Sequence, residues 1–161
     1  MSRMYIDYLK NKIEYLETVN SWLYNQWGHH DPNGSEEKWL LERREKLNNN
    51  NLLPIIFIAI EGESPLGTAS IVKRDMKSHL ELEPWLADVY VKKDKRGKGY
   101  GTKLVKRILK EAKQHNFKKL YLFTPDKKNF YQKIGWKLYK HEEYRHEMVD
   151  IMKYDFQEME S

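Results

Sequence analysis

From Arg96 to Thr102 the chain reads Arg96-Gly97-Lys98-Gly99-Tyr100-Gly101-Thr102, three glycines within five positions. Glycine accepts positive φ and lets the main chain approach a ligand with no side chain in the way. The segment runs into the strongest helical pattern of the sequence. Unpaired N–H groups of a first helical turn and the helix dipole both favour an anion at such a place. Arg96 and Lys98 add formal charge at the rim. The chemistry that suits this arrangement is a diphosphate lying across the start of a helix. A Walker loop needs G-x-x-x-x-G-K-[ST], which no register here provides, and a dinucleotide fingerprint would need glycine where Thr102 stands. The spacing is R-x-x-G-x-G, from Arg96 through Gly99 to Gly101. The same residues also suit a glycine-rich turn that only starts a helix.

Charge is lopsided around this loop. The net charge is +5, yet residues 1–80 carry 10 basic and 11 acidic groups, whereas Lys92 to Lys140 carry 17 basic residues against Asp94, Glu111 and Asp126. Such a segment attracts a polyanion: nucleic acid, anionic lipid or a phosphorylated cofactor. A solvated lysine face is the plainer alternative. No recognition helix or aromatic-studded RNA-binding strand accompanies the charge, so nucleic acid is not the expected partner. The absence of cysteine excludes disulfides, thiol nucleophiles and thiolate metal sites. His29-His30 and His141/His146 lack the spacing of a metal motif, so no metal is expected.

The elements that must position the loop follow from periodicity. With 161 residues, 40% hydrophobic and 33% charged, the chain suits one domain over residues 1–161 with one real core. The longest apolar stretch, Leu52 to Ile60, is nine residues and contains Pro54, too short for a membrane span of about 20. No signal-peptide pattern opens the chain, and a soluble cytoplasmic protein is expected. Met4 to Leu9 reads as a strand and Ile13 to Trp27 as a helix, with Leu16, Val19, Leu23 and Trp27 on one face. Ser35 caps a second helix running to about Leu47. Strands follow over Ile55–Glu61, Gly67–Asp75 and Trp85–Lys93, the first two joined by a turn at Glu63-Ser64-Pro65. Gly99 to His115 is the clearest helix, with Leu104, Val105, Ile108, Leu109 and Ala112 in one apolar stripe. A strand at Lys119–Thr124, a short helix at Asp126–Ile134 and an antiparallel pair over Trp136–Phe156 complete an α+β domain around one mixed sheet.

Two motifs in this order resemble the GNAT superfamily of acetyl-CoA-dependent N-acetyltransferases. The first is a strand, Trp85-Leu86-Ala87-Asp88-Val89-Tyr90-Val91, followed by Arg96 through Gly101 opening a helix. The second, about thirty residues on, is Phe130-Tyr131-Gln132-Lys133-Ile134-Gly135-Trp136, which is similar to the family's aromatic-Tyr-x-x-x-Gly-[Phe/Trp]. The order of elements also matches that fold over nearly the whole chain. The resemblance implies a central, mostly antiparallel twisted sheet with a splayed strand pair and flanking helices. It implies that Val89, Tyr90 and Val91 pair with the pantetheine arm of acetyl-CoA. It further implies that the amides of Arg96, Gly97, Lys98, Gly99, Tyr100, Gly101 and Thr102 hold the diphosphate. Tyr131 matches the tyrosine that protonates the departing thiolate. Many members carry an asparagine seven residues before that tyrosine; here the position is Thr124, kept as a cofactor contact with a hydroxyl in place of the amide.

Acetyl transfer to nitrogen needs a neutral amine and a proton for the leaving sulfur. A primary amine with a pKa near 10.4 is mostly protonated at neutral pH, and a phenol near 10 is well matched to a thiol near 8.5. Tyr131 suits the second task, or plain packing against the sheet. Asp88 and Glu83, with Glu81, are candidates for removing the amine proton, directly or through water. Strand alternation would set Glu81 and Glu83 on one face and Asp88 on the other. Glu142, Glu143 and Glu147 could draw in a cationic amine. Trp22, Trp27 and Trp39 suit the core or an acceptor pocket. The acceptor is expected to be a small-molecule amine or a peptide amino group, with direct attack in a ternary complex because no cysteine can carry the acetyl group. A non-catalytic acyl-CoA sensor and a basic nucleic-acid-binding module are the alternatives. The carboxyl-terminal strands could pair across a homodimer.

Overall fold

The computed structural model describes residues 3–160. Its elements run β1 (Met4–Tyr8), α1 (Leu16–Trp27), α2 (Glu36–Asn48), β2 (Ile55–Glu61), β3 (Ser64–Val72), β4 (Trp85–Val91), α3 (Tyr100–Gln114), β5 (Lys119–Thr124), α4 (Lys128–Ile134), β6 (Lys137–Tyr144), β7 (Glu147–Asp155) and α5 (Phe156–Glu160). The strands form a seven-stranded sheet in the order β1-β2-β3-β4-β5-β7-β6. Strand pairs β1/β2, β5/β7 and β6/β7 are antiparallel, and β4/β5 is parallel. This is the α+β architecture expected from the sequence, mixed sheet included.

The parallel pair is short. Register between β4 and β5 is confined to Trp85↔Tyr121, where the Tyr121 N–H donates to Pro84 O at 3.1 Å. Among the described residues no further rung joins β4 to β5, which fits the splayed pair that the resemblance implies. Trp85 fixes that rung: it is fully buried, its indole N–H donates to Leu82 O at 2.6 Å, and its ring meets Tyr121 and Phe123.

The chain resolves into two compact units. One holds the chain as far as Ser70 together with Asp88–Arg107; the other holds Ile71–Ala87 and the chain from Ile108 onward. In the first, α1 sets Leu16, Val19 and Leu23 against Leu9 and the β2 residues Ile56, Ile58 and Ile60. Every residue of β2 from Ile55 to Ile60 is buried, so both faces are covered and the apolar run is continuous rather than alternating. The Ser35 hydroxyl accepts the Lys38 N–H at 3.1 Å and starts α2, which buries no residue outright. In the second unit Met76, Leu82, Trp85, Tyr121, Val149 and Ile151 form the core. The predicted stripe of α3 is buried along its length.

Several boundaries differ from expectation by a few residues, three of them for a visible reason. Gly62, at φ 64, turns the β2–β3 hairpin, and Ser64-Pro65 already belongs to β3. A left-handed residue in a two-residue hairpin loop matches the strand twist, and glycine adopts it without strain. The first helix begins at Leu16, because a 3-10 turn occupies Ile13–Tyr15. After β7 the chain forms α5, whose opening amides, Gln157 and Glu158 N–H, donate to Asp155 Oδ1. Aspartate ahead of a helix is the signal that marks it. No helix among the described residues is long and apolar enough to cross a membrane.

Candidate active site

The glycine loop belongs to the first unit. Gly97 and Gly99 stand at φ 78 and φ 85, and a Cβ built on either would meet no atom within 4 Å. Both glycines are therefore demanded by backbone conformation, and both face open space. The Lys103 N–H donates to Gly99 O at 3.2 Å. Amides of the first turn ahead of Lys103 have no acceptor inside the helix. A strand-to-helix loop with open space above its glycines and unspent first-turn amides fits an anionic diphosphate.

Glu61, at the end of β2, ties the loop from both ends. It accepts from Tyr100 Oη at 2.8 Å and from Lys95 Nζ at 3.2 Å. The Tyr100 hydrogen bond, then the Lys95 ammonium, hold its carboxyl below the usual range, and the carboxylate in turn holds Lys95 and Tyr100 above theirs. Arg96 folds back: its Nε donates to Val91 O at 2.8 Å, and its guanidinium lies 5.3 Å from the Tyr90 ring centroid. Trp22 also stacks on Tyr90, at 5.5 Å. Arg96 thus braces the end of β4 while remaining solvent-exposed, and Lys98 is the exposed charge among the glycines.

Strand β4 brings Asp88 and Val89–Val91 into the same unit. A Cβ on Gly67 of β3 would lie 2.8 Å from Tyr90 O and 3.0 Å from Leu104 Cδ1, so only glycine lets β3, β4 and α3 approach so closely. Asp88 has φ 57 within a strand, a left-handed conformation that aspartate tolerates better than most residues. The strand's burial does not alternate after Ala87. Moreover β4 starts only at Trp85, so alternation does not extend back to Glu81 and Glu83. The Asp88 side chain keeps 33% of its surface accessible, and its Oδ2 lies 3.9 Å from Arg43 Nη1. Dense surroundings push its carboxyl up from the ordinary range, opposed by the charges of Arg43 and Lys46. The group is recessed rather than sealed.

The second unit carries Glu83, Thr124 and Tyr131. Tyr131 is 8% exposed on α4, and burial first, then the nearby Asp126 charge, push its phenol well above the usual tyrosine range. It is therefore a protonated phenol at any physiological pH. Gly135, at φ 114, ends α4, and the Trp136 N–H donates to Tyr131 O at 3.1 Å. Trp136 is buried, with its ring edge-on to Tyr131 at 6.0 Å. The second sequence motif is thus a helix, its left-handed cap and the aromatic packed beside the tyrosine. The buried Thr124 hydroxyl accepts the Lys127 N–H at 3.0 Å and shapes the turn into α4. Glu83 is exposed and faces Arg74 at 3.5 Å. His79 bridges Glu142 at 2.6 Å and Glu81 at 3.1 Å. Among the described residues no group of three or more His, Asp or Glu side chains is arranged to hold a metal ion.

Glu61, Arg43 and the buried Asn20 were not singled out by sequence. Glu61 lies 34 and 39 residues from its partners Lys95 and Tyr100, a separation that no local pattern reports.

A family model for the acetyltransferase (GNAT) family matches residues 13–136. No curated protein sequence matches the chain. Among solved structures the chain is similar to an N-acetyltransferase from Staphylococcus aureus Mu50, at 19% identity and TM-score 0.72 over 96% of this chain and 99% of that one. It is also similar to a spermidine N-acetyltransferase from Vibrio cholerae in complex with CoA and spermine, at 16% identity, TM-score 0.76 and 98% coverage of both chains. An aminoglycoside 6'-N-acetyltransferase complexed with coenzyme A aligns at 15% identity and TM-score 0.74, over 94% of this chain and 96% of that one. At these identities the neighbours report the fold, whereas the family model spans both sequence motifs, from the glycine loop to Trp136. The chain belongs to the GNAT family of acetyltransferases.

Proposed function

We propose that the chain, acting as one domain, moves the acetyl group of acetyl-CoA onto a primary amine of a small molecule or peptide, by direct attack in a ternary complex. The observation that carries this is the loop: two left-handed glycines, open space above both, and a first helical turn with amides to spare. The neighbours with bound CoA, and those named for spermidine and aminoglycosides, support the donor and the acceptor class.

When bound, acetyl-CoA supplies the activated acyl group. The amides of residues 97–102 hold its diphosphate, and the main chain of Val89–Val91 pairs with its pantetheine arm. A strand amide near Val89–Val91 polarises the thioester carbonyl. Asp88 takes the acceptor's proton, and geometry favours it over Glu83, which is exposed and paired with Arg74 at the surface. A nitrogen–carbon bond forms as the carbon–sulfur bond breaks, and on the family resemblance Tyr131 gives its phenolic proton to the sulfur. Burial keeps that phenol protonated but also makes it a weaker acid toward the sulfur, so the role rests on the resemblance and not on the acidity of the phenol.

Calorimetry with CoA, and thiol release from acetyl-CoA with spermidine, kanamycin and a lysine-bearing peptide, test the proposal. Heat of binding with thiol release supports it. Binding without release would indicate a sensor, and no binding would remove the assignment.

A further inference from the structure

Asp88 does not stand alone in its unit. The side chain of Asn20, 1% exposed on α1, donates from Nδ2 to Glu36 O at 2.9 Å, which locks α1 to the first turn of α2. With the amide so fixed, Asn20 Oδ1 faces α2 and accepts from Arg43 Nε at 3.4 Å. Arg43 keeps only 14% of its side chain accessible, on a helix that buries no residue outright. Its other end, Nη1, lies 3.9 Å from Asp88 Oδ2. The result is a polar chain, Glu36 carbonyl to Asn20 to Arg43 to Asp88, ending at the strained residue of β4.

A surface arginine has no need of such an arrangement. Sequestering a guanidinium costs hydration, which is recovered only if its fork is satisfied and its charge is matched. Guanidinium also stays protonated at any pH the protein meets, so it presents a constant charge, which a histidine in the same recess would not. A carboxyl that receives a proton from an ammonium must itself be ionised when the acceptor arrives. In a recess whose surroundings favour the neutral form, a fixed neighbouring cation is what restores the charge.

We propose that Arg43, steadied by Asn20, is a positioning residue that holds the Asp88 carboxylate in place and in charge for the acceptor amine. This rests on Asp88 acting in acetyl transfer. The charges that face Asp88 are Arg43 and Lys46, both from α2, and α1 presents the neutral Asn20. At 3.9 Å the Arg43 charge holds the Asp88 carboxyl down, against the burial that pushes it up.

The test follows the Asp88 carboxyl by carbon-13 NMR in the free protein, assigned with Asp88→Asn. In Arg43→Met the titration midpoint is expected to rise by about one pH unit, a tenfold gain in proton affinity, and Arg43→Lys should restore most of it. Arg43→Gln carries the same comparison if the methionine variant does not fold. The acid limb of kcat/KM for thiol release, with whichever of spermidine, kanamycin and a lysine peptide the wild type accepts, should move by the same amount. The KM for acetyl-CoA should stay unchanged. A midpoint that does not move in a folded Arg43→Met or Arg43→Gln protein overturns the assignment, as does a moved midpoint with an unmoved acid limb. Failure of the wild type to release thiol with any of these amines would instead count against the acetyltransferase function itself, since the NMR comparison needs no substrate.

Discussion

Gly99→Ala separates the cost of the loop's shape from the cost of its contacts. Gly99 sits at φ 85, and an added Cβ would meet nothing within 4 Å. The free protein therefore loses only backbone free energy, about 1–2 kcal/mol for an L-residue held in the left-handed region. For a chain of this size that lowers the melting temperature by roughly 2–8 °C. With CoA the position is different. The new methyl group occupies the open space into which the diphosphate would settle, and one or two charge-assisted N–H bonds are lost at about 1.5–3 kcal/mol each. A single lost bond raises Kd roughly tenfold to a hundredfold. Calorimetric titration with CoA, beside a melting curve with and without it, gives both numbers. The variant should melt slightly early and lose most of the CoA-induced rise in melting temperature. If Gly99→Ala bound CoA as the wild type does while showing the small loss of stability, the diphosphate would not lie on this loop. Gly97→Ala, at φ 78 and equally open, provides the replicate.

Tyr131→Phe should lower turnover about a hundredfold and leave CoA affinity unchanged, and turnover at the wild-type rate would remove the phenol from proton transfer. Gly67→Ala forces a Cβ to 2.8 Å from Tyr90 O and should cost about 1–3 kcal/mol in a denaturant titration, because backbone must move; an unchanged midpoint would contradict that packing. His79 gives a pH-dependent effect. Burial alone would lower its pKa, but the hydrogen bonds it donates to Glu142 and Glu81, with their charges, outweigh it and raise the folded value above 6.5. Its contribution is complete below the unfolded value near 6.5 and is lost as pH climbs through the raised folded one. The stability gap between wild type and His79→Gln should be wider at pH 5.5 than at pH 8.5, and an equal gap at both would refute the linkage.

What the sequence made legible was local. The stripe from Leu104 to Ala112 repeats at helical spacing, and all of it is buried. Ser35 named its own helix start, and the glycines of the loop named theirs. Gly62 was equally available as the hairpin signal, but Pro65 drew the turn two residues too late, because proline is tolerated at the beginning of a strand. Asp88 was legible as a carboxylate and illegible as a strained one, since positive φ in a strand leaves no mark when the residue is not glycine. Arg43 looked like any charge on a polar helix. What distinguishes it is Asn20, 23 residues away, and Asp88, further still, which only the fold brings within reach.

The interleaving of the two units has a practical consequence. The chain passes from one to the other after Ser70, after Ala87 and after Arg107, each time in the interior of a regular element: β3, β4 and then α3. No single cleavage or truncation releases either unit whole, and a chimaera that grafted one onto a relative would need three junctions, all of them through the backbone of a strand or helix.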